Sequence, residues 1–258
     1  MKETNKEGYM KLLAGFEPFS FYGKRDEGVL LIHGFTGSTT SIREWGEVLF
    51  QAGYHVEAPR LSGHGTRWQD VNRFRAEDWL LDVEDAYIVL SSRVKTVFVA
   101  GLSMGGLLAL AMAEKHPEIR AIMLVNHALE FFPNPLLPFV GFLRFMLPSV
   151  PAISSDIKNP AVRETAYDRT PVNGVYEVLR LQKMVRSQLS SIVQPMIIFK
   201  SREDHVLPVS NVEATISAVR SEIKEVVWLE NSYHVATQDF DKTIIFEKSL
   251  AFLDKVRR

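Results

Sequence analysis

Short apolar runs alternate along this chain with longer amphipathic stretches, and the alternation predicts strands and helices in turn. Val29-Leu30-Leu31-Ile32 carries no polar interruption and predicts a buried strand over 29–33. Residues 39–51 then predict a helix closed by Gly53, and 55–58 the next strand. Residues 77–92 set Trp79, Leu80, Val83, Tyr87 and Leu90 on one helical face. A strand over 96–100 leads into a helix from Met104, which stops at Lys115-His116-Pro117, cations followed by proline. Residues 121–125 predict another strand. After an interruption from about 129 to 190, strands at 195–200 and 225–229 alternate with helices at 211–219 and 241–256.

Such alternation implies an α/β fold, a mostly parallel central sheet with helices on both faces. The interruption has a different texture. Five of the 12 prolines and five of the 16 phenylalanines lie in FFPNPLLPFVGFLRFMLPSVP, 131–151. Pro133, Pro135, Pro138 and Pro148 prevent one continuous helix there. The expected organisation is a core of 1–127 and 191–258, with 128–190 a small cap or lid insertion and its return segment. A loop-rich patch packed on the core is the plainer alternative.

Composition narrows the function classes. At 258 residues, 24% charged and with a formal net charge of -1, the chain offers no basic surface for nucleic acid. It has no cysteine, which excludes disulfides and thiolate chemistry. No stretch approaches the roughly 18 apolar residues of a spanning helix, and the N-terminus lacks an apolar signal core. The expected location is therefore cytoplasmic.

The chemistry concentrates at VAGLSMGG, 99–106. Gly101-Leu102-Ser103-Met104-Gly105 fits G-x-S-x-G, between a buried strand and an apolar helix, the setting in which such a serine is a nucleophile. A phosphate-binding turn fits worse: serine stands where G-x-G-x-x-G needs its second glycine, and no lysine follows. A nucleophilic serine needs a base and an orienting acid. His234, in NSYHVAT after the strand 225–229, stands where the order Ser, acid, His puts the base. The acid is expected after 195–200, where SREDHVLP offers Glu203 and Asp204, with Asp204 preferred. Two backbone amides must receive an oxyanion: Met104 follows the nucleophile, and Phe35 lies in HGFTGS after the first strand.

With these residues placed, the chain resembles the small bacterial monoacylglycerol lipases and carboxylesterases of the α/β-hydrolase superfamily. The matching blocks are LLIHGFTGS (30–38), APRLSGHGT (58–66), VAGLSMGG (99–106), SDIKNPAVRETAYDRTP (155–171), SREDHVLP (201–208) and NSYHVAT (231–237). The resemblance implies an α/β-hydrolase fold with Ser103, Asp204 and His234 as triad and Phe35 and Met104 as oxyanion-hole donors. It implies a cap over an apolar acyl tunnel, with Ile153 touching the acyl chain and Glu164 accepting a glycerol hydroxyl. The alternatives are core packing for Ile153 and a solvated helix charge for Glu164.

The activity it implies is hydrolysis of carboxylic esters, monoacylglycerols first, with no cofactor and no metal. A general carboxylesterase is the nearest alternative. An aminopeptidase using Asp156 and Glu164 to hold an ammonium group, and a non-catalytic receptor of the same fold, stand further off. The expected partner is a small acyl ester, not nucleic acid, with transient contact between the cap and a lipid surface. Nothing in the pattern specifies an oligomer.

Overall fold

A computed structural model describes residues 11–152 and 155–257. Nine strands and eight helices are formed among them. In chain order the first half runs β1 (Phe19–Phe21), β2 (Glu27–Ile32), α1 (Thr40–Gln51), β3 (His55–Ala58), α2 (Trp68–Val71), α3 (Ala76–Ser91), β4 (Thr96–Leu102), α4 (Met104–Lys115) and β5 (Ile122–Val125). The second half runs α5 (Val140–Leu143), β6 (Ser149–Pro151), β7 (Arg169–Pro171), α6 (Val172–Gln188), β8 (Met196–Ser201), α7 (Ser210–Ala218), β9 (Lys224–Leu229) and α8 (Lys242–Val256).

Seven strands make one sheet in the order β1-β3-β2-β4-β5-β8-β9. Every pairing is parallel except β1 with β3. The central strands are buried on both faces, so their sequences read as unbroken apolar runs rather than alternating ones. Successive residues nonetheless go to opposite layers. Leu30, Ile32, Val99, Leu124 and Ile198 pack towards α3, α4 and α6. Val29, Leu31, Ala100, Val125 and Phe199 pack towards α1 and α8. This two-sided core agrees with the α/β architecture expected from the sequence.

The chain order fixes where a site can form. After β3 the chain crosses back over β2 to place β4 on its other side. Loops leaving the carboxyl ends of β2 and β4 therefore meet at a reversal of strand order, where open α/β sheets bind ligands.

Several features differ from the sequence reading, the short helix α2 among them. The edge strand β1 was not expected, and the interruption contains a 17-residue helix, α6. Val178, Leu181 and Val185 on α6 pack in the same apolar layer as α4. Its stripe is diluted by buried polar residues, Glu177 and Gln182, which obscures the helical period. Gln182 is satisfied by donating to the Ala128 carbonyl at 2.9 Å. The proline-rich stretch is broken as expected, into a short 3-10 turn (Leu137–Phe139), α5 and β6. The strands β6 and β7 form an antiparallel pair of their own.

Candidate active site

Ser103 sits between β4 and α4 with φ 57° and ψ -120°, in the left-handed half of conformational space. A non-glycine residue there is strained, and the surrounding packing must hold it. Its amide donates to Val125 O at 2.9 Å, and its carbonyl accepts from the Ala128 amide at 3.0 Å. The turn closes so tightly that a Cβ on Gly101 would fall 2.2 Å from the Gly105 carbonyl carbon. A Cβ on Gly105 would fall 2.1 Å from the Ile32 carbonyl oxygen. Only glycine fits at either position.

His234, between β9 and α8, points Nε2 at Ser103 Oγ across 2.9 Å. Its Nδ1 lies 3.1 Å from both Asp204 oxygens. Because Nδ1–H donates to the carboxylate, Nε2 is left as the acceptor for the serine proton. Asp204 is buried, and its Oδ1 also accepts the Val206 and Leu207 amides at 2.9 and 3.0 Å. Burial alone would raise its pKa. The charge and hydrogen bond of His234, joined by the Lys200 ammonium, outweigh this and hold it well below the usual carboxylate range. Glu203 points away, in a surface ion pair with Lys158 at 3.0 Å.

A cavity of about 450 Å³ opens over Ser103. Phe35, Met104 and His234 border it beside the serine, and Phe131, Leu137 and Val178 are among its apolar walls. Among the described residues, no hydrogen bond occupies the Phe35 or Met104 amide. Met104 opens α4, so its amide carries the partial positive charge of a helix N-terminus.

Glu164 belongs to this cavity and to no helix, so it is not the solvated helix charge weighed from the sequence. Burial raises its pKa, against the opposing pull of the His234 charge. Its carboxylate fills the space beside Gly37, where a Cβ would come within 2.9 Å of Oε1. Ile153, expected on the acyl wall, lies outside the described residues. Asp156 also borders the cavity, but its carboxylate is occupied. It accepts the His234 amide at 3.1 Å and the His205 amide at 3.2 Å, and lies 2.8 Å from His205 Nδ1.

Three supporting residues were not singled out in the sequence. Asn126, at φ 43°, donates through Nδ2 to the His234 carbonyl at 2.8 Å and accepts the Ser201 amide at 2.9 Å, tying the loops after β5, β8 and β9 together. His64 accepts the Thr36 amide at 3.2 Å through Nε2 and so steadies the loop carrying Phe35. Lys200 lies wholly buried against Asp204, with Nζ 2.5 Å from Oδ2. A lysine inside the apolar run MIIFKS was a visible signal, although as the last residue of the expected strand it read as an ordinary strand end.

A mostly parallel sheet with a strained serine at the end of a central strand is the α/β-hydrolase arrangement. The family described as "Serine aminopeptidase, S33" matches residues 23–241. A thermostable monoacylglycerol lipase of Bacillus sp. (strain H-257) is 44% identical over 247 residues, 95% of this chain and 96% of that protein. A carboxylesterase of Bacillus subtilis (strain 168) is 28% identical, over 93% of this chain and 97% of its own. A solved structure reported for LipS and LipT, two metagenome-derived lipolytic enzymes, superposes with a TM-score of 0.91 at 41% identity, covering 95% of this chain and all of that one (100%). The chain belongs to the bacterial monoacylglycerol lipase and small carboxylesterase family of the α/β-hydrolase superfamily.

Proposed function

We propose that this protein is a serine hydrolase of carboxylic esters that cleaves monoacylglycerols and other medium- or long-chain acyl esters. The observation that carries the reading is the unbroken relay Ser103–His234–Asp204 at the floor of a cavity with apolar walls and the Glu164 carboxyl among its polar lining. The 44% identity to a monoacylglycerol lipase supports the substrate class.

In this reading Ser103 Oγ attacks the ester carbonyl carbon while its proton passes to His234 Nε2. Asp204 keeps the ring oriented and stabilises the imidazolium. The oxyanion that forms is received by the Phe35 and Met104 amides. As the carbon–oxygen bond breaks, Nε2 returns the proton to the leaving alcohol. Water then attacks the acyl-enzyme, giving its proton to Nε2. Collapse of the second tetrahedral species frees the acid and restores the serine hydroxyl.

The apolar walls are assigned to the acyl chain, with Ile153 expected among them, and Glu164 to a glycerol hydroxyl. A largely buried carboxyl with a raised pKa suits a neutral hydroxyl better than an ammonium group. Asp156 is already occupied, which argues against the aminopeptidase reading. We assign 128–190 as cap, with α6 as its return onto the core.

Among the described residues no helix is long and apolar enough to cross a membrane. The cap instead exposes Phe139, Phe142, Phe145 and Met146, each more than half accessible. That patch is assigned to transient contact with a lipid surface, by a protein working in the cytoplasm. The test is kcat/KM across monoacylglycerols and p-nitrophenyl esters of graded chain length. Efficiency is expected to rise with chain length until the cavity is full. Hydrolysis of none of them would overturn the proposal.

A further inference from the structure

Strand β8 is buried along its whole length, and its fifth residue is a lysine. The Lys200 side chain exposes no surface and neither does that of Asp204. A lysine in such a place must have a built environment, because an unpaired ammonium is rarely tolerated in a core. It has one. Nζ donates to Asp204 Oδ2 at 2.5 Å and to the Leu207 carbonyl at 3.0 Å, closing the loop that carries the acid back onto β8.

The bond is not required to satisfy the carboxylate. Oδ1 already takes two backbone amides, and both oxygens face His234. What Lys200 adds is a positive charge, one carboxylate away from the imidazole. In a serine hydrolase the acid's negative charge favours the imidazolium. Here a second cation competes for it.

We propose that Lys200 is a positioning residue that locks the Asp204 loop and offsets the carboxylate's charge, so that the pH dependence of turnover is set by this lysine as well as by the acid. The inference rests on the reading above, in which His234 is the base. Other charged or titratable groups near this pair are His127 from the end of β5, His205 beside the acid, and Asp156 and Glu164 from the cap. His127 is buried, and burial lowers its pKa to about 3, so it is neutral across the working range. The acids and His205 are common to every variant compared below.

The experiment is the pH dependence of kcat/KM for a p-nitrophenyl ester in wild type, Lys200→Met and Lys200→Gln, read only where circular dichroism shows folded protein. Met removes the charge and the donor at similar length. Gln keeps a donor without the charge. A unit charge at this range moves a neighbour's titration by about one pH unit in a protein interior. Both variants are therefore expected to shift the acid limb upward by about one unit, a tenfold loss of activity low on that limb, with the plateau within a few-fold of wild type.

An acid limb that stays in place in both variants overturns the proposal, whatever happens to the plateau. Failure of both variants to fold also overturns it, by making the ammonium a prop of the fold. A shift in Met alone would assign the effect to the lost hydrogen bond and refute the charge argument. Absence of esterase activity in the wild type would instead sink the hydrolase reading itself.

Discussion

Lowering the pH from 7 to 5 should cost this protein much of its stability, through three buried histidines. His33, His64 and His127 have no exposed surface. Burial pulls their pKa values down to about 4, 3 and 3 respectively. Two of them must also be neutral to keep their bonds. His33 Nε2 accepts the Leu61 amide at 3.1 Å, and His64 Nε2 accepts the Thr36 amide. In the unfolded chain each titrates near 6.5. Between that value and the folded pKa the unfolded state binds more protons, so stability falls as pH falls.

At pH 5 the loss is about 2 kcal/mol per histidine, or about 6 kcal/mol for the three. That is comparable with the whole stability of an ordinary domain. Glu114 works in the opposite direction. Burial raises its pKa to about 8, so its folded form holds a proton that the unfolded form has lost at pH 7. Acidification relieves that penalty, an offset of about 1 kcal/mol once its partial exposure is discounted. The assay is urea unfolding at pH 7, 6 and 5, in wild type and Glu114→Gln. A net loss of about 5 kcal/mol is expected in wild type, with a larger loss in Glu114→Gln, which should also be the more stable at pH 7. A free energy of unfolding that changes by less than about 1 kcal/mol over that range would refute the reasoning.

Glu164→Gln should weaken glycerol esters more than ethyl esters of the same acid, since only glycerol offers further hydroxyls; matched kcat/KM values check this, and equal losses would remove the glycerol assignment. Asp204→Asn should lower kcat by a factor on the order of 10⁴ and also destabilise the fold, because it leaves the buried Lys200 ammonium without its counter-charge, whereas Glu203→Gln should leave kcat unchanged. Replacing Phe142 and Phe145 together with serine should reduce co-sedimentation with lipid vesicles while leaving hydrolysis of a short soluble ester intact, because both side chains are largely exposed.

The parts of this site that were legible in the sequence are those whose physics is local. The turn around Ser103 excludes a Cβ at Gly101 and Gly105, so it has to be written as glycines within a few positions of the serine. His234 and Asp204 could be found because the sheet's chain order assigns each to the loop after a late strand. The sequence already favours Asp204 over Glu203; the structure turns the Asp204 carboxylate to His234 and leaves Glu203 in an ion pair with Lys158. Asn126 left no signature because its partners lie 75 and 108 positions further along the chain. Helix α6 was hidden for another reason: its inner face buries Glu177 and Gln182, and although Glu177 pairs with Arg180 on the same helix, the Ala76 amide and Ala128 carbonyl that complete their bonding are remote in sequence.

The central claim is that Ser103 is the nucleophile of an ester hydrolase. It is tested most directly by treating the protein with a fluorophosphonate and locating the adduct by peptide mass spectrometry. The account predicts one stoichiometric phosphonyl group on Ser103 and loss of esterase activity in step with labelling. It also predicts no adduct in Ser103→Ala and strongly slowed labelling in His234→Ala. An adduct on another serine, or an unlabelled Ser103 in a protein that still hydrolyses esters, would contradict it.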